Sequence, residues 1–281
     1  MKLLILLESL LLMVFSCSRE QYHQVPRMLV YNIAQHNDSI YFSTSDNGIF
    51  SFPATAPGAM KRLATAGHLP IRSIAFASNG TLYAGSYYSG VHYFKNDTLL
   101  PLSWARQLSW SIKFDDDGSL WLAGTHGIYR QRRDSLVAFN TMSGGHDIAF
   151  YNGQVAIAHM GGISVFDMKT GAIIREFCKG VICWTIARYD SLLIGGGLNL
   201  CVIINKEDCK QINLGPKNNM LWSTALDLTG TLYMGTQEGL YRVNAGSDEA
   251  RCIGLKGVCI KSLLIDDKGR LWVGKFNKYK K

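Results

Sequence analysis

Residues 118–130 read GSLWLAGTHGIYR and residues 230–242 read GTLYMGTQEGLYR, one phrase written twice. GTLYAGSYYSGVHYF (80–94) carries it again, and GRLWVGK (269–275) repeats its first half. GQVAIAHMGGISVF (153–166), DSIYFSTSDNGIF (38–50) and DSLLIGGGLNLCVI (190–203) are looser copies. From the turn residues Asp38, Gly80, Gly118, Gly153, Asp190, Gly230 and Gly269, the steps run from 35 to 42 residues. Each copy opens on a β-rich stretch such as WSIKF (110–114) or WSTAL (222–226). An Asp- and Gly-rich turn follows (DDDG, DLTG), then a second strand, a tight turn, a third strand and a variable fourth. β-Branched and aromatic runs bounded by such turns make antiparallel meanders. Four strands every ~40 residues is the size of a propeller blade. The fold class expected is all-β: a seven-bladed propeller of four-stranded antiparallel blades. No segment after residue 17 has the sustained helical period that a solenoid of this repeat length requires.

The seventh copy is short. LWVGK runs into FNKYKK without a returning GLYR strand, and residues 18–28 (SREQYHQVPRM) are too few to supply both missing strands. Pro26 further limits pairing there. The seventh blade is therefore expected to be incomplete, with an exposed edge. Either a partner covers that edge, or the chain is the front of a longer protein.

The 281 residues are 47% hydrophobic and only 18% charged, the balance of a folded chain and not of a disordered one. The only long apolar run is MKLLILLESLLLMVFS (1–16), too short for a membrane span and typical of a secretory signal. Ser16 and Cys17 resemble a bacterial lipoprotein box, in which cleavage leaves Cys17 for lipid attachment. Simple secretion with cleavage nearby is the plainer reading. The division expected is a signal at 1–16, a lipid-anchored linker at 17–28 and the propeller at 29–281. The location expected is periplasmic or cell-surface.

Aligning the first strands exposes three coherent columns. The first holds Tyr31, Arg72, Trp110, His146, Trp184, Trp222 and Lys261. The second is small and polar: Asn32, Ser73, Ser111, Asp147, Thr185, Ser223 and Ser262. The third is Ile33, Ile74, Ile112, Ile148, Ile186, Thr224 and Leu263. The first column begins each innermost strand and should ring one mouth of the central channel. The second-to-third-strand turns return to that face with Tyr87, Tyr88, His126, His159, Gln237 and Glu238. Flat rings stack on pyranose faces while Arg, His and Lys bind hydroxyls or acidic substituents. The alternative is that Trp110, Trp184 and Trp222 wedge between blades.

The G-x-L-W-x-G-T-x-x-G-L/I-Y-R pattern after D-x-x-G resembles the two-component regulator propeller repeat. The resemblance spans residues 29–275. It implies the exported sensor part of bacterial hybrid two-component regulators, many of which detect oligosaccharides. The second propeller, sandwich domain, membrane helix, kinase and receiver of such regulators have no counterpart in this sequence, so direct signalling is not expected. The function expected is a non-catalytic exported propeller binding an oligosaccharide or a partner protein.

A propeller enzyme, streptogramin-lyase-like or a polysaccharide lyase, is the runner-up, and His126, His146 and Glu238 are its visible candidates. A pure protein-interaction scaffold is the third reading. No cofactor or metal is expected. The sequence has no HExxH, P-loop, dinucleotide fingerprint or nucleophile elbow. Asp115, Asp116 and Asp117 lack calcium-loop spacing and fit turn chemistry. Six cysteines remain after Cys17, at 178, 183, 201, 209, 252 and 259. Cys201 and Cys209 bracket a turn and are candidates to face each other across a hairpin; small buried strand residues are the other reading. The net charge of +8 draws on Lys275, Lys278, Lys280 and Lys281, with Arg130, Arg132 and Arg133 on the face away from the mouth. It favours anionic surfaces or acidic glycans over nucleic acid.

Overall fold

The computed structural model describes residues 22–24 and 28–276, except 46–47, 65–69, 143, 206–207 and 216–218. The signal-like segment, Cys17, most of the 17–28 linker, and Lys278, Lys280 and Lys281 lie outside the described residues. Among the described residues, no helix is long and apolar enough to cross a membrane.

Six four-stranded antiparallel sheets follow one another, each a simple meander in chain order. Their first strands are Val30–His36, Ile71–Phe76, Ser109–Phe114, Gly145–Tyr151, Cys183–Tyr189 and Leu221–Leu226. These are blades 1 to 6. A smaller sheet follows, formed by Ile260–Ile265 and Leu271–Lys275 paired antiparallel. It packs against blade 6 through Ile260, Leu263 and Val273 beside Leu240. On its other side Trp272 joins Val30, Ile33, Phe42 and Phe52 of blade 1. The amide of Ile33 donates to Ser262 Oγ at 2.9 Å across 229 residues of sequence, which fastens the last sheet to the first.

The expected shortfall of strands is met in part. Tyr22–Gln24 adds a third strand to the small sheet, with Tyr22 opposite Leu271 and Gln24 opposite Val273. The pairing is parallel. Three residues suffice for it. No fourth strand joins this sheet among the described residues.

The repeat motif has a physical cause. Asp115 is 6% exposed and spends both oxygens. Oδ1 accepts the Ser119 amide at 2.8 Å, closing the turn, and Oδ2 accepts the Trp121 indole and Arg130 Nη2, each at 2.8 Å. Asp266 does the same with the amide of Arg270, Arg270 Nε and the Trp272 indole. The acid of D-x-x-G is thus a turn cap that also holds the tryptophan of L-W. Trp121 and Trp272 are fully buried and fill the space between neighbouring blades. Arg130 therefore belongs to this cluster and not to a free basic patch. Gly118 takes φ +75° in the turn. At Gly235 a Cβ would meet the Ile260 carbonyl at 2.9 Å, so the approach of the following sheet requires glycine.

The three copies that align poorly differ in one local respect. In blades 1, 4 and 5 the first strand has seven residues and a two-residue turn, with Asn37, Asn152 and Asp190 at φ +51°, +47° and +49°. Blades 2, 3 and 6 have six-residue strands and a longer turn that ends in Gly80, Gly118 and Gly230.

The cysteine expectation is corrected. Register places Ile212 opposite Cys201 and Ile204 opposite Cys209, so the two do not face each other. Cys201 is buried and Cys209 exposed, and all six described cysteines are free thiols.

Candidate functional site

The second residue of every first strand is skipped by the ladder. Val30 opposes Thr44 and Asn32 opposes Ser43, so the register shifts at Tyr31, which bulges between them. The same irregularity isolates Arg72, Trp110, His146, Trp184, Trp222 and Lys261. A bulge of one extra residue kinks the strand and re-aims a side chain. Seven bulges at one position turn the whole first column inward at one end of the channel. All seven residues line a single cavity of about 210 Å³, together with the second column.

Contacts among them form a closed circle. The Arg72 guanidinium lies 4.3 Å from the Tyr31 ring and 4.7 Å from that of Trp110. Trp110 meets Trp184 at 5.6 Å, and Trp184 meets Trp222 at 5.1 Å. His146 stacks on Trp184 at 3.7 Å. Lys261 Nζ sits over Trp222 and 5.6 Å from Phe276, which returns to Tyr31 at 4.7 Å. Phe276 was not singled out in the sequence because it lies past the last recognisable repeat.

The second column is a belt that ties blade to blade. Asn32 Oδ1 accepts the Ile74 amide at 3.1 Å, and Ser73 Oγ accepts that of Ile112 at 3.2 Å. Asp147 Oδ2 accepts the Ile186 amide at 3.1 Å. Asn32, Ser73, Asp147 and Ser262 each satisfy a backbone donor of the following blade, which explains why these positions stay polar in the interior.

Lys113 was missed in the sequence, and Asp147 was read there only as one of the small polar column. Lys113 Nζ lies 2.9 Å from Asp147 Oδ1 and also donates to the carbonyls of Ile148 and Ile186, spanning blades 3 to 5. Their signal was present. Asp147 is the one acid of its column, and Lys113 breaks a position otherwise held by Ala34, Ala75, Ala149, Ala187, Ala225 and Leu264.

The electrostatics follow from burial. Burial lowers the Arg72 guanidinium from its ordinary value, with Tyr31, Tyr87 and Tyr88 opposing. Burial lowers His146, opposed by its bond to the Cys183 carbonyl. Lys261 falls to about 7, chiefly through burial, with Cys259 opposing and Arg72 adding to the fall. Among the described residues neither Arg72 nor Lys261 has a carboxylate within ion-pair distance.

The remaining predicted residues divide. Tyr87 contacts Trp110 at 4.8 Å and Arg72 at 5.4 Å, so it joins the circle. Tyr88 packs edge-on against Tyr87 and is 68% exposed. His126 is exposed at its turn and outside the cavity lining. Gln237 Oε1 accepts the Trp222 indole at 3.3 Å, and His159 Nε2 pairs with Ser164 Oγ at 2.9 Å. Trp110, Trp184 and Trp222 are half-buried at the mouth; the inter-blade wedge belongs to Trp121 and Trp272.

No family model matches the chain, and no curated protein matches it. Solved structures do. One is described as the "extracellular domain of the putative one component system BT4673 from B. thetaiotaomicron": TM-score 0.73, 17% identity, covering 88% of this chain. This chain spans 39% of that one's length. The WD40 β-propeller domain of Doa1 gives a TM-score of 0.71 at 13% identity, with 89% of this chain and 90% of that chain covered. The computationally designed Ika8 protein gives 0.64 at 14%, with 88% and 83% covered. At these identities the likeness is one of fold.

Proposed function

We propose that this chain is an exported, non-catalytic propeller that binds an oligosaccharide at the channel mouth, as the ligand-sensing part of a signalling system. In this reading the small closing sheet counts as a seventh, incomplete blade, and the signal-like segment with Cys17 delivers and tethers the domain. The single observation that carries the binding role is the sevenfold bulge that turns Tyr31, Arg72, Trp110, His146, Trp184, Trp222 and Lys261 onto one cavity. At about 210 Å³ it is small beside the ~300–1,000 Å³ of typical ligand pockets. It suits one sugar ring, with Tyr87 and Tyr88 flanking the rest of the chain on the open face. The likeness to an extracellular domain of a one-component system supports a sensing role.

A lyase reading draws less support. His146 is committed to a stack and to the Cys183 carbonyl, and neither His126 nor Glu238 lines the cavity.

The experiment is a glycan array on the purified domain, run beside a lyase and hydrolase screen, with Trp110→Ala and Trp222→Ala as variants. Both variants should stay folded and lose binding. Turnover of any polysaccharide, or unfolding of both variants, overturns the reading.

A further inference from the structure

We propose that the sugar ring seated in this cavity carries an oxyanion, a carboxylate or a sulfate ester, held between Arg72 and Lys261. This rests on the oligosaccharide reading above. The cavity holds two cations and one acid, and the acid is already spent. Asp147 faces Lys113 and accepts from Ser111 Oγ and the amide of Ile186. Arg72 and Lys261 are thus left without a counter-charge in a small, half-enclosed space, which is costly unless a ligand supplies one.

A second observation points the same way. Three buried polar atoms on cavity-lining residues have no hydrogen-bond partner: Arg72 Nε, Trp184 Nε1 and Ser223 Oγ. The first two can only donate, and the third can. Orphaned donors are matched by a ligand rich in acceptors. An ionised carboxylate or sulfate is acceptor-only, whereas a hydroxyl both donates and accepts. The aromatic rings of Tyr31, Trp110 and Trp222 fix the cations from their sides by cation–π contact and leave the cavity side of each open to the anion.

Charge and proton are linked at Lys261. Its ammonium is lowered to about 7 without ligand. An anion beside it restores the charge, so binding above pH 7 takes up a proton. The other titratable groups around it are Arg72, His146, Asp147 and Tyr31 on the lining, with Cys259 beside it and Glu238 beside Cys259.

The test measures calorimetric binding to the purified domain of four sugars on one scaffold: a trigalacturonate, its methyl ester, a sulfated galactotriose and plain galactotriose. Sodium sulfate and an acidic peptide are the arms without sugar. The expected result is at least tenfold tighter binding of one acidic sugar than of its neutral partner, with proton uptake seen between buffers at pH 8. Lys261→Met and Arg72→Met should each erase that difference between the acidic sugar and its neutral partner. Two variants guard against misfolding of either, checked by melting temperature. Equal binding of acidic and neutral sugars overturns the oxyanion and leaves the sugar reading standing. Sulfate or the peptide binding as tightly as the acidic sugar, and competing for the same site, overturns the sugar reading and leaves the anion site. Binding by none of them overturns the proposal.

Discussion

The imidazole of His146 lies 3.7 Å from the Trp184 ring at 13°, and its Nδ1 is 2.7 Å from the Cys183 carbonyl. A carbonyl only accepts, so Nδ1 carries the proton and the ring is held by stack and hydrogen bond together. Burial lowers the pKa of this histidine in the folded state, and His92 and His159 are lowered by burial as well. A lowered folded value means that the unfolded chain binds more protons as pH drops through about 6.5. The histidines' contribution to stability is therefore full above pH 7 and is lost below it. Replacing His146 with Phe keeps a flat ring but loses the bond, costing about 0.5–1.5 kcal/mol at pH 7. It should also make the decline between pH 7 and 5 shallower in urea titrations. An unchanged slope would show that His146 titrates normally.

Lys261 has the same sign at higher pH. Its folded value of about 7 lies below the ~10.4 of an unfolded lysine. The unfolded chain binds the extra proton between those values, so the wild-type chain gains stability from pH 7 to 10. Lys261→Met should be more stable than wild type at pH 7, by on the order of 1–3 kcal/mol after allowance for solvent at the mouth. The difference should close by pH 10. A less stable variant at pH 7 would mean that the ammonium contributes favourably over Trp222.

The fold was legible because its determinants are local. The turn glycine and the Trp or Tyr three residues after it recur at fixed spacing in Gly80, Gly118, Gly230 and Gly269, so repetition exposed them. The circle of mouth residues was legible as a column but not as a geometry. The bulge that turns Trp110 inward depends on how Ser109 and Ser111 pair with the second strand, which no single strand encodes. The ion pair of Lys113 with Asp147 escaped notice because it crosses blades. Phe276 and the 22–24 strand lie outside the repeat, where self-similarity has nothing to report.

The Asp115 cluster should be a stability determinant. Asp115 and Arg130 are nearly fully buried, with side-chain exposures of 2% and 12%. Asp115→Ala strands the guanidinium, the indole and a turn amide together, and should cost about 3–5 kcal/mol in urea unfolding. Asp116→Ala, at the exposed neighbour, should stay within about 0.5 kcal/mol. Equal effects would show that the turn, and not the buried cluster, carries the energy.

Trp121 and Trp110 should separate core from mouth. Trp121 is fully enclosed against Phe139 and Phe150, and Trp121→Ala should cost about 3–5 kcal/mol. Trp110 has open space on its cavity side, so Trp110→Ala should cost less than half as much by the same measurement. Comparable losses would make Trp110 a structural wedge as well.

Cys178 packs against the buried cluster that contains Cys183, and Cys183 leads directly into Trp184. The neighbouring Cys183 thiol lowers that of Cys178, while the Cys178 thiol and then burial raise that of Cys183. Cys178 should therefore be the thiolate that reacts first. Diamide, a two-electron oxidant that takes both thiol hydrogens to become the hydrazine, should join the pair as a disulfide. In a Cys209→Ser, Cys252→Ser background, which removes the exposed thiols, the mass should fall by two hydrogens in one internal cross-link. Tryptophan fluorescence should shift in the same step, because the cross-link pulls on the strand that carries Trp184. Iodoacetamide should label Cys178 ahead of Cys183. Labelling in the reverse order, or a diamide product without the 178–183 link, would show that the two sulfurs do not share a proton in solution.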